Sequence, residues 1–233
     1  NYPFKGEFNA NGYAIKNITI DKVSAILKKV EGGEEAKSIG ALFGYADGAK
    51  IKNLGLISPI IHDVDYSSGI CYRLINNGLI EYCYIDSFEV PDPNLGAMTI
   101  YKIGSITGYE SVAGLAIELV GSSITKSYVN IPLGTQLSDI GGQTYEEYVN
   151  EMISSRTGPS AAATGKIYNA YLAGFVNSLT DSTIDNSYVG SGISSLKLFT
   201  HINNDVANQS LVTSLKFNKF VNMVNGSPIV NVD

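Results

Sequence analysis

A six-residue block recurs along this chain, and no other feature restricts the fold as much. Ile15-Lys-Asn-Ile-Thr-Ile20 is followed by Ile51-Lys-Asn-Leu-Gly-Leu56, Ile80-Glu-Tyr-Cys-Tyr-Ile85, Ile124-Thr-Lys-Ser-Tyr-Val129 and Ile184-Asp-Asn-Ser-Tyr-Val189. Each of the last four blocks follows a Gly-led apolar segment by ten or eleven residues: Gly40-Ala-Leu-Phe-Gly44, Gly69-Ile-Cys-Tyr72, Gly114-Leu-Ala-Ile117 and Gly174-Phe-Val176. Gly104-Ser-Ile-Thr-Gly108 competes with Gly114 for the same role. Turn-forming residues separate each pair: Ala46-Asp-Gly48, Asn76-Asn-Gly78, Gly121-Ser-Ser123 and Thr180-Asp-Ser182.

Each repeat is therefore strand, turn, strand. A hairpin meander also gives short strands and Gly turns. It does not bring the same block back in the same phase, whereas stacked coils do, because each coil buries its apolar edge only against the next. The expected fold is an all-β, right-handed, single-stranded parallel β-helix. Positions one, four and six of the block should point inward, in the columns Ile15/Ile51/Ile80/Ile124/Ile184, Ile18/Leu54/Cys83/Ser127/Ser187 and Ile20/Leu56/Ile85/Val129/Val189. Two outward residues between inward ones imply a bend within the block.

The blocks are spaced by 36, 29, 44 and 60 residues, more than small coils need. The excess predicts insertions in a single domain over residues 1–233, one at about 21–38 and a larger one at about 132–165. In the larger, Thr144 to Ser155 reads as a helix, with Thr144 and Glu147 as a capping box. Residues 191–233 lose the block and read as a degenerate coil or a C-terminal cap.

Charge excludes some partners. The net charge is −6 and only Arg73 and Arg156 are arginines, so nucleic acid and an anionic membrane surface are not expected. No run of about 18 apolar residues occurs, so no membrane insertion is expected of this stretch. The chain starts at Asn1 and reads as a mature product or an excised fragment. Low charge with abundant Tyr, Asn, Ser and Gly suits an extracellular or cell-surface bacterial protein, part of a longer precursor and monomeric. Cys71 and Cys83 form no disulfide framework and read as buried thiols rather than a bridge.

Phe4 to Ile20 resembles the opening coil of bacterial GLUG-type β-helix proteins, and Gly40 to Leu56 resembles the GLUG repeat itself. The likeness is good over residues 4–56, looser for the coils ending near 85, 129 and 189, and absent from the last forty residues. GLUG-type coils occur in large adhesins and in the non-catalytic part of secreted zinc IgA-protease relatives. The chain is also similar in architecture to the binding domain of tāpirins, cellulose-binding surface proteins with no catalytic role in that domain.

Enzymatic constellations are sparse. β-Helices also carry pectate lyases and polygalacturonases, which use clustered Asp with Ca²⁺ and a cation, or paired Asp with His. Here Arg73 is the only arginine on a coil, His62 and His201 lack metal spacing, and Glu81 and Asp185 lie two coils apart. Asp63-Val-Asp65 and Asn203-Asn-Asp205 complete no calcium loop and read as solvated loops. No enzyme, metal or cofactor is implied.

The tyrosines carry the functional reading. Tyr84, Tyr128 and Tyr188 share one block position on three successive coils and should face outward as a column, with Tyr82 nearby. Aromatic rings stack on the apolar face of a sugar. The alternatives are a purely structural tyrosine ladder, or burial beneath the 132–165 insertion. Tyr72, Tyr101, Tyr109, Tyr145, Tyr148, Tyr168 and Tyr171 could supply a second platform on loops. The expected function is a non-catalytic surface module binding an insoluble polysaccharide, cellulose first, through Tyr82, Tyr84, Tyr128 and Tyr188. A protein-binding or spacer module of an adhesin or protease is the first alternative, and a polysaccharide lyase or hydrolase the second.

Overall fold

A computed structural model describes residues 2–21, 24–30, 33–62, 64–91, 100–108, 110–135, 171–190, 216–218, 221–226 and 229–232. Over these residues the chain is a parallel β-helix whose short strands stack coil upon coil. The first face is formed by Phe43–Asp47, Cys71–Ile75, Ala116–Val120, Val176–Thr180 and Val221–Asn225. The second follows each turn, with Lys50–Lys52, Leu79–Glu81 and Ser123–Thr125 in register. The third carries Ala14–Lys16, Gly55–Ile57, Tyr84–Asp86 and Tyr128–Asn130. Thr183–Val189 bends through both the second and the third. A fourth face holds Thr19–Asp21, Ile60–His62, Ser105–Gly108 and Leu133–Thr135. A fifth holds Tyr66–Ser68, Ser111–Ala113, Tyr171–Ala173 and Lys216–Asn218.

Stacking like on like builds the core. Ile51, Ile80, Ile124 and Ile184 are adjacent in register and each is fully buried. Leu56, Ile85 and Val129 form a second column at 0% exposure. The bend inside the block is a left-handed residue at its third position: Asn53, Tyr82, Lys126 and Asn186 have φ of 53, 52, 50 and 47°. Asn tolerates this region better than Tyr or Lys does.

The fourth block position is buried on every later coil, even where it is polar: Leu54, Cys83, Ser127 and Ser187. The serines satisfy themselves locally. Ser127 Oγ donates to Thr125 O at 2.9 Å and accepts from Cys83 N at 3.1 Å, and Ser187 Oγ accepts from Ser127 N at 3.2 Å. Ser127→Ala should therefore cost about 1–3 kcal/mol, since it strands a buried amide donor. Urea unfolding checks this, and Ser127→Cys should recover part of the loss.

The first block differs from its expected phase. Ile15 pairs with Leu56 rather than Ile51, and Ile20 pairs with Ile61. Phe8 takes the place beside Ile51. The opening coil spends extra residues, Ala10 to Tyr13, at its first corner, so its Ile-Lys-Asn falls at the next one. There Asn17 and Ser58 are the left-handed residues, with φ of 54 and 53°. Gly40 is likewise displaced, pairing with Ser67. Gly69 and Gly114 do align, Gly69 N donating to Gly114 O at 2.9 Å. Gly114 is thus the equivalent glycine, and Gly104 lies instead against Ser58 and Pro59.

Within residues 21–38, Ser24–Val30 pairs antiparallel with Gly33–Gly40, whose last residues join the fifth face. A second hairpin, Phe88–Pro91 with Ile100–Ile103, leaves the third coil. Leu133–Thr135 remains in the coil, while the expected helix at 144–155 lies outside the described residues. Near the C-terminus Lys216–Asn218, Val221–Asn225 and Ile229–Val232 stack in parallel on the coil before them. Cys71 and Cys83 are free and buried, and burial pushes the Cys83 thiol up to about 11.

After the opening coil, length varies on one side only. The paths Phe43 to Ile57, Cys71 to Asp86, Ala116 to Asn130 and Val176 to Gly190 span the first three faces in nearly constant length. The hairpin at Phe88 leaves the coil between the third and fourth faces, and the one at Ser24 between the fourth and fifth.

Candidate functional site

The regular three-face path fixes where the tyrosines fall. After the left-handed corner comes the buried fourth position, and the next side chain must point out. On the third, fourth and fifth coils that residue is tyrosine. Tyr84 pairs with Tyr128 and Tyr128 with Tyr188. Their rings stack nearly parallel, with centroids 5.2 and 4.9 Å apart and interplanar angles of 8 and 6°. Near-parallel rings at this separation sit offset, so each covers part of its neighbour's face. Tyr84 and Tyr128 are half-buried and Tyr188 is 48% exposed. Ring edges, hydroxyls and the outer part of Tyr188 therefore make up the accessible surface of the column.

Gly55 ends the column at its N-terminal side. A Cβ there would lie 2.3 Å from Tyr84 Cζ, so the Tyr84 ring rests in the space a side chain would fill. Ala14 continues the same small-residue line on the first coil. The tyrosine face thus steps down onto a floor of small residues.

Tyr82 occupies the left-handed corner beside the column and is 49% exposed. Lys126, the same corner on the next coil, lies 4.5 Å from its ring centroid and donates from Nζ to Tyr82 Oη at 2.7 Å. Lys126 also pairs with Glu81 at 3.6 Å. One face of Tyr82 is therefore covered by a cation. The structure brings Tyr84, Tyr128 and Tyr188 into one line and leaves Tyr82 at its margin.

Two residues beyond each tyrosine the strand faces out again. Tyr128 Oη donates to Asp86 Oδ2 at 3.3 Å, and Asn130 Nδ2 to Asp86 Oδ1 at 2.9 Å. Partial burial, then the Asp86 charge, raises the Tyr128 hydroxyl well above its ordinary value, so it stays protonated. The block pattern alone does not single out Asp86 and Asn130. The signal that could find them is a fixed offset of two from each tyrosine.

The second tyrosine platform does not form as expected from Tyr72. Tyr72 is 6% exposed and packs with Tyr45, Tyr66, Ile39 and Ile117 in a small outer core. Lys37 forms a buried ion pair with Glu110 beside it. Tyr171 is half-buried on the fifth face. The Tyr101 side chain and Tyr109, Tyr145, Tyr148 and Tyr168 lie outside the described residues.

The catalytic candidates are dispersed. Arg73 is paired with Glu118 at 2.9 Å, and Thr125 separates Glu81 from Asp185 in their column. Asp65 is a structural acceptor, taking Ser38 N at 2.7 Å and Ser38 Oγ at 2.8 Å, rather than part of a solvated loop. Asp63, His201 and Asn203 to Asp205 lie outside the described residues. Among the described residues no group of three His, Cys, Asp or Glu could hold a metal ion. No helix among them is long and apolar enough to cross a membrane. A polar groove of about 430 Å³ follows the turn between the first and second faces, over Asn77, Gly121 and Asp181. It carries no aromatic ring and lies across the second face from the tyrosines.

No family model, curated protein or solved structure matches this chain.

Proposed function

We propose that this chain is a non-catalytic adhesion module that holds an insoluble polysaccharide, cellulose first, on its tyrosine face. The observation that carries this reading is the column itself: three outward tyrosines at 5.2 and 4.9 Å intervals on a rigid ladder. Parallel strands repeat at about 4.8 Å. A flat β-linked glucan repeats its sugars at a closely similar interval. A glycan lying along the helix axis would thus meet an equivalent phenol edge at each sugar, with no side chain to reorder. Pre-organisation of this kind lowers the cost of binding. The likeness of residues 4–56 to GLUG-type coils and of the architecture to tāpirins points the same way. It also supports a location outside the cell, as part of a longer surface protein.

The test is retention on microcrystalline cellulose. Tyr128→Ala combined with Tyr188→Ala should weaken retention by about ten-fold, taking roughly 0.5–1.5 kcal/mol per ring. Circular dichroism should show the coil intact. A double variant that folds and binds like the parent would assign the tyrosines to coil stability alone. Failure of the parent to bind cellulose, chitin or xylan, with capture of protein ligands, would favour the spacer or protein-binding reading.

A further inference from the structure

Beside the tyrosine column runs a second outward row on the same face: Lys16, Ile57, Asp86 and Asn130. Asp86 is the only carboxylate among the described outward residues of that face. Its two oxygens are unequally used. Oδ1 accepts from Ser87 N at 2.8 Å and from Asn130 Nδ2 at 2.9 Å. Oδ2 accepts a single long bond, 3.3 Å, from Tyr128 Oη. A carboxylate oxygen has room for more than one donor. Asp86 is half-buried, and none of the ion pairs among the described residues includes it.

The nearby cations among the described side chains are engaged elsewhere. Lys126 is held by Glu81 and Tyr82. Lys16, two coils away in the row, lies 5.7 Å from the Phe88 ring centroid. The face therefore offers an anchored negative acceptor beside a line of phenols, and among its described residues the one cation, Lys16, sits over Phe88 rather than on Asp86.

We infer that Asp86 sets the ligand class of the tyrosine face, accepting a hydroxyl of a neutral glycan and rejecting polyuronates. The inference rests on the tyrosine column being the binding face. A sugar hydroxyl has a proton to give to Oδ2, and a charge-assisted bond of that kind is among the stronger ones available. A uronate brings a second carboxylate to the same place, where like charges meet without a cation between them. The chain's net charge of −6 acts in the same direction at longer range.

The experiment compares cellohexaose with a galacturonic acid hexamer by titration calorimetry, on the parent chain and on Asp86→Asn. Asparagine keeps an acceptor for Ser87 N and Asn130 while removing the charge. The parent should bind the neutral hexamer and reject the acidic one. Asp86→Asn should bind the neutral hexamer about ten-fold more weakly and lose most of the discrimination. An unchanged ratio between the two sugars in Asp86→Asn would overturn the inference. If Tyr128→Ala with Tyr188→Ala abolished binding in the same assay, the tyrosine face would still stand. A parent that binds neither hexamer nor cellulose would remove both claims. Should Asp86→Asn fail to fold, a salt series on the parent decides. Screening should raise affinity for the acidic hexamer and leave the neutral one unchanged, and a flat response to salt overturns the inference.

Discussion

Gly114→Ala should lower the unfolding free energy by about 3 kcal/mol, at the upper end of what added volume costs in a packed interior. The added methyl would sit 2.3 Å from the Gly174 carbonyl oxygen and 2.6 Å from Val129 Cγ1. Val129 could adjust its rotamer. The Gly174 oxygen is backbone and moves only if the neighbouring coil moves. That coil is held by the parallel pairing of Ala116 with Val176 and of Val112 with Leu172. The substitution must therefore separate two coils or bend one. Chemical denaturation with far-ultraviolet circular dichroism should show an earlier midpoint. Gly121→Ala is the control for an inserted methyl with no neighbour, since nothing lies within 4 Å of the place it would occupy. That control keeps only the cost of a left-handed backbone, with φ at 54°, and should lose about 1 kcal/mol. Equal losses in the two variants would refute the packing account.

Phe175→Ala should cost about 3–5 kcal/mol for the opposite reason, a hole in place of a clash. Phe175 is at 0% exposure and is the largest fully buried side chain among the described residues. Its carbonyl accepts from Leu115 N at 2.9 Å and Ala116 N at 3.3 Å, so the backbone around it is tied to the preceding coil. The cavity cannot collapse without breaking those bonds. Phe175→Leu should recover roughly half the loss by refilling part of the space. A Phe175→Ala variant as stable as the parent would mean that the interior closes over the gap, which a tightly registered ladder does not allow.

Much of this architecture is legible in the sequence because stacking turns repetition into contact. Ile51, Ile80, Ile124 and Ile184 recur at one phase, and that phase alone assigns them to one buried column. Tyr84, Tyr128 and Tyr188 follow from the same register with no further information. What misleads is the likeness of two corners. Both use a left-handed residue that asparagine fills well, so Ile15-Lys-Asn17 reads like Ile51-Lys-Asn53 although it turns the following corner. The hairpin from Phe88 to Ile103 has no counterpart on neighbouring coils, and a search for repeats passes over it. Tyr45, Tyr66 and Tyr72 meet only when strands from different coils come together, which nothing in their spacing announces. Asp86 and Asn130 are hidden differently. Asp86, Asn130 and Gly190 share no obvious chemistry, although each lies two residues beyond a tyrosine.

Because, past the opening coil, only the stretch after the third face changes length, this molecule separates a metronome from an improvisation. Evolution can lengthen, shorten or replace the hairpin that pairs Phe88–Pro91 with Ile100–Ile103 at little more than the slow logarithmic cost of closing a longer loop. The beat that keeps Tyr128 over Tyr84 is counted elsewhere and would not notice. A descendant could acquire a new rim, and with it new neighbours, while inheriting its row of phenols unaltered.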